Sequence, residues 1–292
     1  MIRFSLVMAT RGRTTEIAEF LDSLIAQGRE DAECIIVDQN GDDRLAAVLA
    51  PYAGRVRLTH RRSAIANANH ARNLGLRDAV GEIVAFPDDD CLFPPGTLAM
   101  VDQAFAGDPR LMVLTGPAAS PEGGLGSGRW RQAGGAITAE NVWTSVIEFN
   151  LWLRRPVALA LGGFDEGMGP GTPIGSAEGN DLVLRAVEAG HEARYEPALR
   201  VVHPDKRLSD VATARALLYG RGLGFALRRH GVAPGVWLPF AIRPIGGVVL
   251  SLLKGRPRDA AYYAMTFAGR AAGFLRGDAK DGLVRAPIEG QR

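Results

Sequence analysis

The stretch Glu82-Ile83-Val84-Ala85-Phe86-Pro87-Asp88-Asp89-Asp90 runs a short apolar segment straight into three adjacent carboxylates. A brief apolar run bounded by turn residues reads as a buried strand. Carboxylates side by side at its end repel one another unless something neutralises them. A hard divalent cation is the obvious neutraliser: Mg²⁺ and Mn²⁺ take oxygen ligands, and their sites commonly join one or two carboxylates to water and substrate phosphate. Asp-x-Asp closing a strand therefore suits a metal-chelated diphosphate. The plainer alternative is a solvated acidic loop, or aspartates capping a helix before Pro94-Pro95-Gly96.

Outward from this stretch, the first 115 residues alternate apolar runs with helical periodicity, the pattern of an α/β fold with a mostly parallel sheet flanked by helices. Strands are expected at Phe4 to Met8, Glu33 to Asp38, Val56 to His60, Glu82 to Phe86 and Leu111 to Leu114. Helices are expected at Thr14 to Ala26, Arg44 to Tyr52 and Ala64 to Ala79, the first capped by Thr14 or Thr15. Ligands of such sheets bind beyond the carboxyl ends of the strands, the edge where Asp38 and Asp88 to Asp90 fall. Farther on, Ala118 to Gly135 is rich in Gly, Pro and Ser and reads as a mobile loop holding Trp130. Val142 to Arg154 reads as strand, Pro156 to Leu161 as a short helix, Gly167 to Gly175 as flexible, and Asn180 to Ala189 as helix. A further helix, capped by Ser209 or Asp210, is expected from Leu208 towards Arg229.

With 47% hydrophobic and 23% charged residues, the chain of 292 has the composition of a folded globular protein. Its two cysteines, Cys34 and Cys91, read as free thiols in a reducing compartment. The N-terminus enters a strand at once without an export signal, so a cytoplasmic location is expected. A net charge of +2 hides an asymmetry: residues 1–205 carry 19 Lys and Arg against 27 Asp and Glu (−8), and residues 206–292 carry 15 against 5 (+10). The basic part is also apolar between Val232 and Leu253, though Arg243, Pro234, Pro239 and Pro244 interrupt it too often for a membrane-spanning reading. It suits either a helical subdomain packed on the core or a segment lying on the anionic inner face of the cell membrane.

An ordered set of motifs adds to this. Ala9-Thr10-Arg11-Gly12-Arg13, Ile35-Ile36-Val37-Asp38-Gln39-Asn40, Ala71-Arg72-Asn73-Leu74-Gly75 and Phe86 to Asp90 are followed by Gly162-Gly163-Phe164-Asp165-Glu166, Glu178-Gly179-Asn180-Asp181-Leu182-Val183-Leu184-Arg185 and Val201-Val202-His203-Pro204. Over roughly residues 3–205 the chain resembles the family 2 glycosyltransferases. That resemblance implies a GT-A fold, transfer of a sugar from a nucleotide-sugar with inversion, and a divalent cation, Mg²⁺ or Mn²⁺. It divides the chain into a nucleotide-sugar-binding half (1–115), an acceptor-binding half (116–205) and a helical C-terminal extension (206–292).

The resemblance also implies residue roles. Asp38 contacts the nucleotide base, Thr10 and Arg11 hold its other edge, and Arg72 approaches the nucleotide or the acidic edge. Asp90 is the direct metal ligand, Asp88 serves the ribose or water around the ion, Asp89 stands with the nucleotide-binding set, and His203 contacts metal or diphosphate. An inverting displacement needs a carboxylate facing the acceptor hydroxyl. The family usually takes it from a Glu-Asp-x-Asp segment, with the first Asp as base. Here that Asp is Gly179, which leaves Glu178, slightly favoured, and Asp181. Asp165 and Trp130 are acceptor-side candidates, the first also readable as a turn residue and the second as core packing.

The expected activity is metal-dependent inverting transfer from a nucleotide-sugar, with UDP-sugars ahead, to a glycan or polyprenyl-linked acceptor in cell-envelope or extracellular polysaccharide synthesis. The alternative is a nucleotide-sugar-binding or scaffold protein whose catalysis is weakened by Gly179. Sugar-1-phosphate nucleotidyl transfer is disfavoured because Ala9 to Arg13 offers one glycine and no lysine. Nucleic-acid binding is disfavoured because the basic excess is interleaved with aliphatic residues.

Overall fold

The computed structural model describes residues 1–205, 210–277 and 285–290. Strand β1 (Phe4–Thr10) leads through helix α1 (Thr15–Ile25) to β2 (Ala32–Asp38), then through α2 (Arg44–Leu49) to β3 (Arg57–Arg62) and through α3 (Ala68–Asp78) to β4 (Ile83–Ala85). Helix α4 (Thr97–Gly107) precedes β5 (Leu111–Thr115), the short β6 (Ala118–Ala119) and β7 (Gly135–Ala136), and β8 (Leu151–Arg154). Helices α5 (Arg155–Ala160) and α6 (Glu178–Glu188) lead to β9 (Glu192–Tyr195) and β10 (Val201–Val202), after which the chain is helical: α7 (Asp210–Arg229), α8 (Pro234–Leu253) and α9 (Pro257–Arg276).

The main sheet has the order β3-β2-β1-β4-β8-β5-β9-β7, and β10 pairs with β6 in a second, two-stranded sheet. Pairs β1–β2, β2–β3, β1–β4 and β5–β9 are parallel; β8 runs antiparallel between β4 and β5, and β7 antiparallel beside β9. Alternation along β1 divides the interior. Phe4, Leu6 and Met8 face the layer of α1 and α4, while Val7 faces α3 with Ile35 and Val37 of β2. Helix α3 comes so close that a Cβ on Gly75 would strike the Val7 side chain. The edge strand β3 is largely exposed and carries Arg57, Arg61 and Arg62, charges that discourage pairing with another chain.

Several expectations need correction. Only Leu151–Arg154 of the stretch from Val142 to Arg154 is strand; before it come two single-turn 3₁₀ helices, Val142–Thr144 and Glu148–Asn150. Side chains compete for the backbone there: the Ser145 hydroxyl donates to Asn141 O at 2.9 Å, and Asn150 Nδ2 donates to Leu199 O at 2.7 Å and Pro117 O at 3.1 Å. Helix α3 starts at Ala68 rather than Ala64, because the Asn67 side chain accepts from the amides of Asn69 and His70 and caps it there. Thr14 is the N-cap of α1 but makes no side-chain capping bond. Of the caps expected for α7, Ser209 lies outside the described residues.

The interrupted segment from Val232 to Leu253 is a continuous helix. Pro234 opens α8, and Pro239 and Pro244 lie inside it. Each removes one amide donor, and the helix continues. Among the described residues, α8 alone is long and apolar enough to cross a membrane by length and composition. Helices α7 and α9 pack backbone to backbone. A Cβ on Gly224 would strike the Arg270 carbonyl oxygen, and one on Gly273 would strike that of Arg221. Such small-residue contacts let two helices approach more closely than larger side chains permit.

Candidate functional site

The carboxyl ends of β1, β2 and β4 meet as the parallel register requires, with Thr10 directly opposite Asp38 and Ala9 bridging to Asp88. Thr10, buried at its strand end, donates its hydroxyl to Asp89 Oδ2 at 2.6 Å. Asp38 is fully buried; its Oδ1 accepts from the Asn40 amide at 2.8 Å and from Asn40 Nδ2 at 2.7 Å, and its Oδ2 lies 3.0 Å from His60 Nε2. Arg11 is exposed beside them.

Beyond these strand ends a cavity of about 760 Å³ opens, lined by Asp88, Asp89, Asp90, Arg72, His203, Glu148 and Glu178 among others. Thr10, Arg11 and Asp38 do not line it, nor do Asp165, Asp181 and Trp130. Arg72 reaches the cavity from α3 and donates to Asp88 Oδ1 at 2.9 Å, Asn69 Oδ1 at 2.9 Å and Glu178 Oε1 at 3.3 Å. Its guanidinium also lies over the Phe164 ring, 5.3 Å from the centroid. Arg13, absent from the expected set, binds Asp90 Oδ2 at 2.6 Å. Its place in the motif after β1 was the available signal.

Asp88, Asp90 and His203 each offer one ligand atom, all within 4.8 Å of one another. His203 Nε2 lies 3.2 Å from Asp90 Oδ1 and 3.9 Å from Asp88 Oδ2. Octahedral Mg²⁺ at about 2.1 Å from its ligands implies adjacent donors on the order of 3 Å apart, so two carboxylates and an imidazole here fit a small hard cation. The imidazole is fixed from both sides: it stacks on Phe149 at 4.5 Å with an interplanar angle of 7°, and Nδ1 lies 2.8 Å from Pro204 O. Burial works against charge at Asp89, Asp90 and His203, and the partners of each decide how far. Asp90 is held below the ordinary carboxylate range because the hydrogen bond to His203 and the nearby Arg13 outweigh its burial. His203 is raised because Asp90 and Asp88 outweigh its own. Asp89 is pushed up to about 6 by burial and by Asp88 and Asp90, against the hydrogen bond from Thr10.

The two carboxylates expected to act on the acceptor separate. Glu178 opens α6 inside the cavity wall, placed there by Ala177, whose left-handed φ of 67° is rare for a residue with a side chain. Burial pushes Glu178 up to about 8, and the adjacent Glu148 adds to it. The 3.3 Å contact from Arg72 does not reverse this, because Arg72 donates more closely to Asp88. A carboxyl raised in the folded state contributes most to stability below its unfolded pKa and loses that contribution as pH rises through the folded value. Glu178→Gln is therefore expected to gain melting temperature relative to the native protein between pH 5 and pH 9, read by calorimetry at each pH. A constant difference across that range would contradict the assignment.

Asp181 sits one turn on, fully buried and outside the lining of the cavity. Its Oδ2 accepts from Arg185 Nε at 2.9 Å, and its Oδ1 lies 3.0 Å from His230 Nε2 and 3.5 Å from the Arg229 guanidinium. Asp165 is similarly engaged, accepting from Arg229 at 2.6 Å and from Arg285 at 3.0 Å. It anchors the end of α7. Trp130 packs against both core clusters with its indole N–H 3.3 Å from Gly126 O, the packing alternative. Aromatic rings at the cavity come instead from Phe149, Tyr219 and Tyr262.

The C-terminal helices contribute to the site itself. Helix α7 presents Ala212, Arg215, Ala216, Tyr219 and Leu223 to the cavity and abuts the chain before α6, where a Cβ on Gly222 would strike Ser176.

Residues 5–156 match the profile of Glycosyl transferase family 2. No curated protein gives a sequence match. Among solved structures, the mannosyltransferase PcManGT from Pyrobaculum calidifontis, in complex with GDP-Man and Mn²⁺, superposes with a TM-score of 0.66 at 21% identity, covering 94% of this chain and 87% of that one. S. aureus TarS 1-349 in complex with UDP-GlcNAc gives a TM-score of 0.59 at 15% identity, covering 91% and 90%. The same protein with UDP gives 0.56 at 18% identity, covering 94% and 90%.

Proposed function

The chain belongs to glycosyl transferase family 2, and from that premise we propose that it is a metal-dependent inverting enzyme moving a sugar from a nucleotide-sugar to a glycan or polyprenyl-linked hydroxyl. The observation that carries this reading is the convergence of Asp88, Asp90 and His203 in one cavity with Arg72, Glu148 and Glu178. Asp90, Asp88 and His203 would hold Mn²⁺ or Mg²⁺, which supplies positive charge to the departing diphosphate. Asp38, Thr10 and Arg11 would bind the nucleoside, with Asp89 fixed by Thr10 between the two groups. Arg72 holds Asp88 in place and presents a fixed cation to the donor side. The Glu178 corner is where the acceptor hydroxyl would lose its proton.

The similar structures were solved with GDP-Man and with UDP-GlcNAc, and these two donors are the first to assay. In the assay, nucleoside diphosphate released from GDP-mannose or UDP-GlcNAc in Mn²⁺ should exceed that in EDTA. Equal rates would refute metal dependence.

Synthesis of cell-envelope or extracellular polysaccharide at the inner face of the membrane is the setting we favour, and α8 supports it. Leu238, Ile242, Ile245, Val249 and Leu253 are exposed along that helix, and Arg243, Lys254, Arg256 and Arg258 are exposed with them. Each basic residue near an anionic surface contributes about 1 kcal/mol. The protein is expected to float with vesicles containing phosphatidylglycerol and to be released when Leu238, Ile242 and Val249 are replaced by Ser. Flotation unaltered by those changes would remove α8 as the contact.

A further inference from the structure

Glu178 is poorly suited to take a proton itself. It is buried, it leans on Arg72, and its burial favours the protonated form. A second carboxylate lines the same wall. Glu148 comes from the single turn before β8, a separate element, and accepts from the Gly179 amide at 3.2 Å. A Cβ on residue 179 would lie 2.9 Å from Glu148 Oε1 and 3.0 Å from its Cγ. The volume in which a side chain at 179 would begin is thus filled by the Glu148 carboxylate, and the glycine makes room for it. The Gly179 amide in the first turn of α6 donates to that carboxylate, as helix N-termini favour negative charge.

We propose that Glu148, reaching over Gly179, is the catalytic base of this enzyme, with Glu178 beside it on the cavity wall. The inference rests on the glycosyl-transfer reading above. The groups facing the pair are Arg72 from α3, Asp88 from the end of β4 and Tyr219 from α7. Glu148 is half-buried where Glu178 is buried, and both line the cavity, with Glu148 held by the Gly179 amide. In the transfer, the acceptor O–H bond breaks and its proton goes to a Glu148 oxygen. The acceptor oxygen forms a bond to the anomeric carbon on the face opposite the leaving group. The bond from that carbon to the diphosphate oxygen breaks, and the diphosphate departs with the electron pair.

The test measures Mn²⁺-dependent release of GDP from GDP-mannose and UDP from UDP-GlcNAc, with water as acceptor, alongside calorimetric binding of the same nucleotide-sugars. Glu148→Ala should lose roughly 10²–10⁴-fold in turnover while still binding donor. Adding Gly179→Asp to Glu148→Ala should recover about tenfold or more, because it returns a carboxylate to the emptied volume. Glu178→Gln, which keeps a donor in place, should lose less than Glu148→Ala. Turnover of Glu148→Ala within about tenfold of native, or no recovery in the double variant, overturns the assignment. If the native protein binds neither nucleotide-sugar, the glycosyl-transfer reading falls, and this inference with it; the binding measurement separates that outcome from failure of Glu148 alone.

Discussion

Asp181→Asn is expected to destabilise the protein by about 3–5 kcal/mol, the usual cost of removing one partner from a buried ion pair. The reason is the number of groups that converge on one carboxylate. Arg185 donates to it at 2.9 Å, His230 Nε2 lies 3.0 Å away, and the Arg229 guanidinium stands at 3.5 Å. Arg185 also donates to the carbonyls of Leu161 at 2.6 Å and Gly163 at 2.7 Å, and Arg229 to Asp165 at 2.6 Å. One buried charge therefore ties α6 to the turn after α5 and to the end of α7. An amide would leave the buried Arg185 guanidinium without its carboxylate, while Arg229 would keep Asp165, and calorimetry should show a fall in melting temperature on the order of 10 °C.

The acid behaviour follows from the same contacts. Burial alone would raise Asp181, but the hydrogen bond to His230 and the charges of Arg185 and Arg229 outweigh it and hold the group down at about 2. A depressed carboxylate contributes stability above its unfolded pKa, near 3.9, and loses it as pH falls through the folded value. The gap between native and Asp181→Asn proteins should therefore close between about pH 4 and pH 2. A variant as stable as the native protein at pH 7 would show that the network contributes nothing, and would reopen a catalytic role for Asp181.

Asp90→Ala is expected to lower turnover on the order of 10³-fold, because metal stabilisation of a leaving diphosphate is worth several kcal/mol and each 1.36 kcal/mol is tenfold in rate. Asp90 is the ligand best prepared for the task. It is mostly buried, and His203 and Arg13 keep it ionised. Asp88 is shared with Arg72, and Asp89 is committed to Thr10. Asp89→Ala should accordingly lose less than Asp90→Ala. Equal losses, insensitive to added Mn²⁺, would mean that the acidic run acts as a block of charge rather than as a ligand set.

Much of this was legible in the chain. The parallel half of the sheet could be read because β1, β2 and β4 are mostly apolar runs, the first two closed by Thr10 and Asp38 and the third followed three residues on by Asp88. The metal-site candidates were visible as residue types, though only the fold brings His203 next to Asp90 across more than a hundred residues. Strand β8 was blurred because Asn and Ser side chains hold the preceding turns without hydrophobic periodicity. Helix α4 went unseen: Pro94-Pro95-Gly96 reads as a stop, whereas Gly96 takes φ of 82° and serves as the N-cap.

The acceptor side was harder. Asp165 and Asp181 are carboxylates in suggestive motifs, but their partners Arg229 and His230 lie beyond residue 205, and no local pattern links them. Glu148 carries no motif of its own; its importance appears only when the space around Gly179 is seen to be occupied. The C-terminal part was readable as basic and apolar. That α7 also walls the cavity depends on glycine contacts at Gly222 and Gly175, which a sequence records only as small residues.

The most direct test of metal-dependent nucleotide-sugar recognition is calorimetric titration of GDP-mannose and UDP-GlcNAc into the native protein, with Mn²⁺ and then with a chelator. Saturable binding of at least one of them in Mn²⁺, lost on chelation, is the predicted result. Binding of equal strength in both conditions, or none in either, would contradict it.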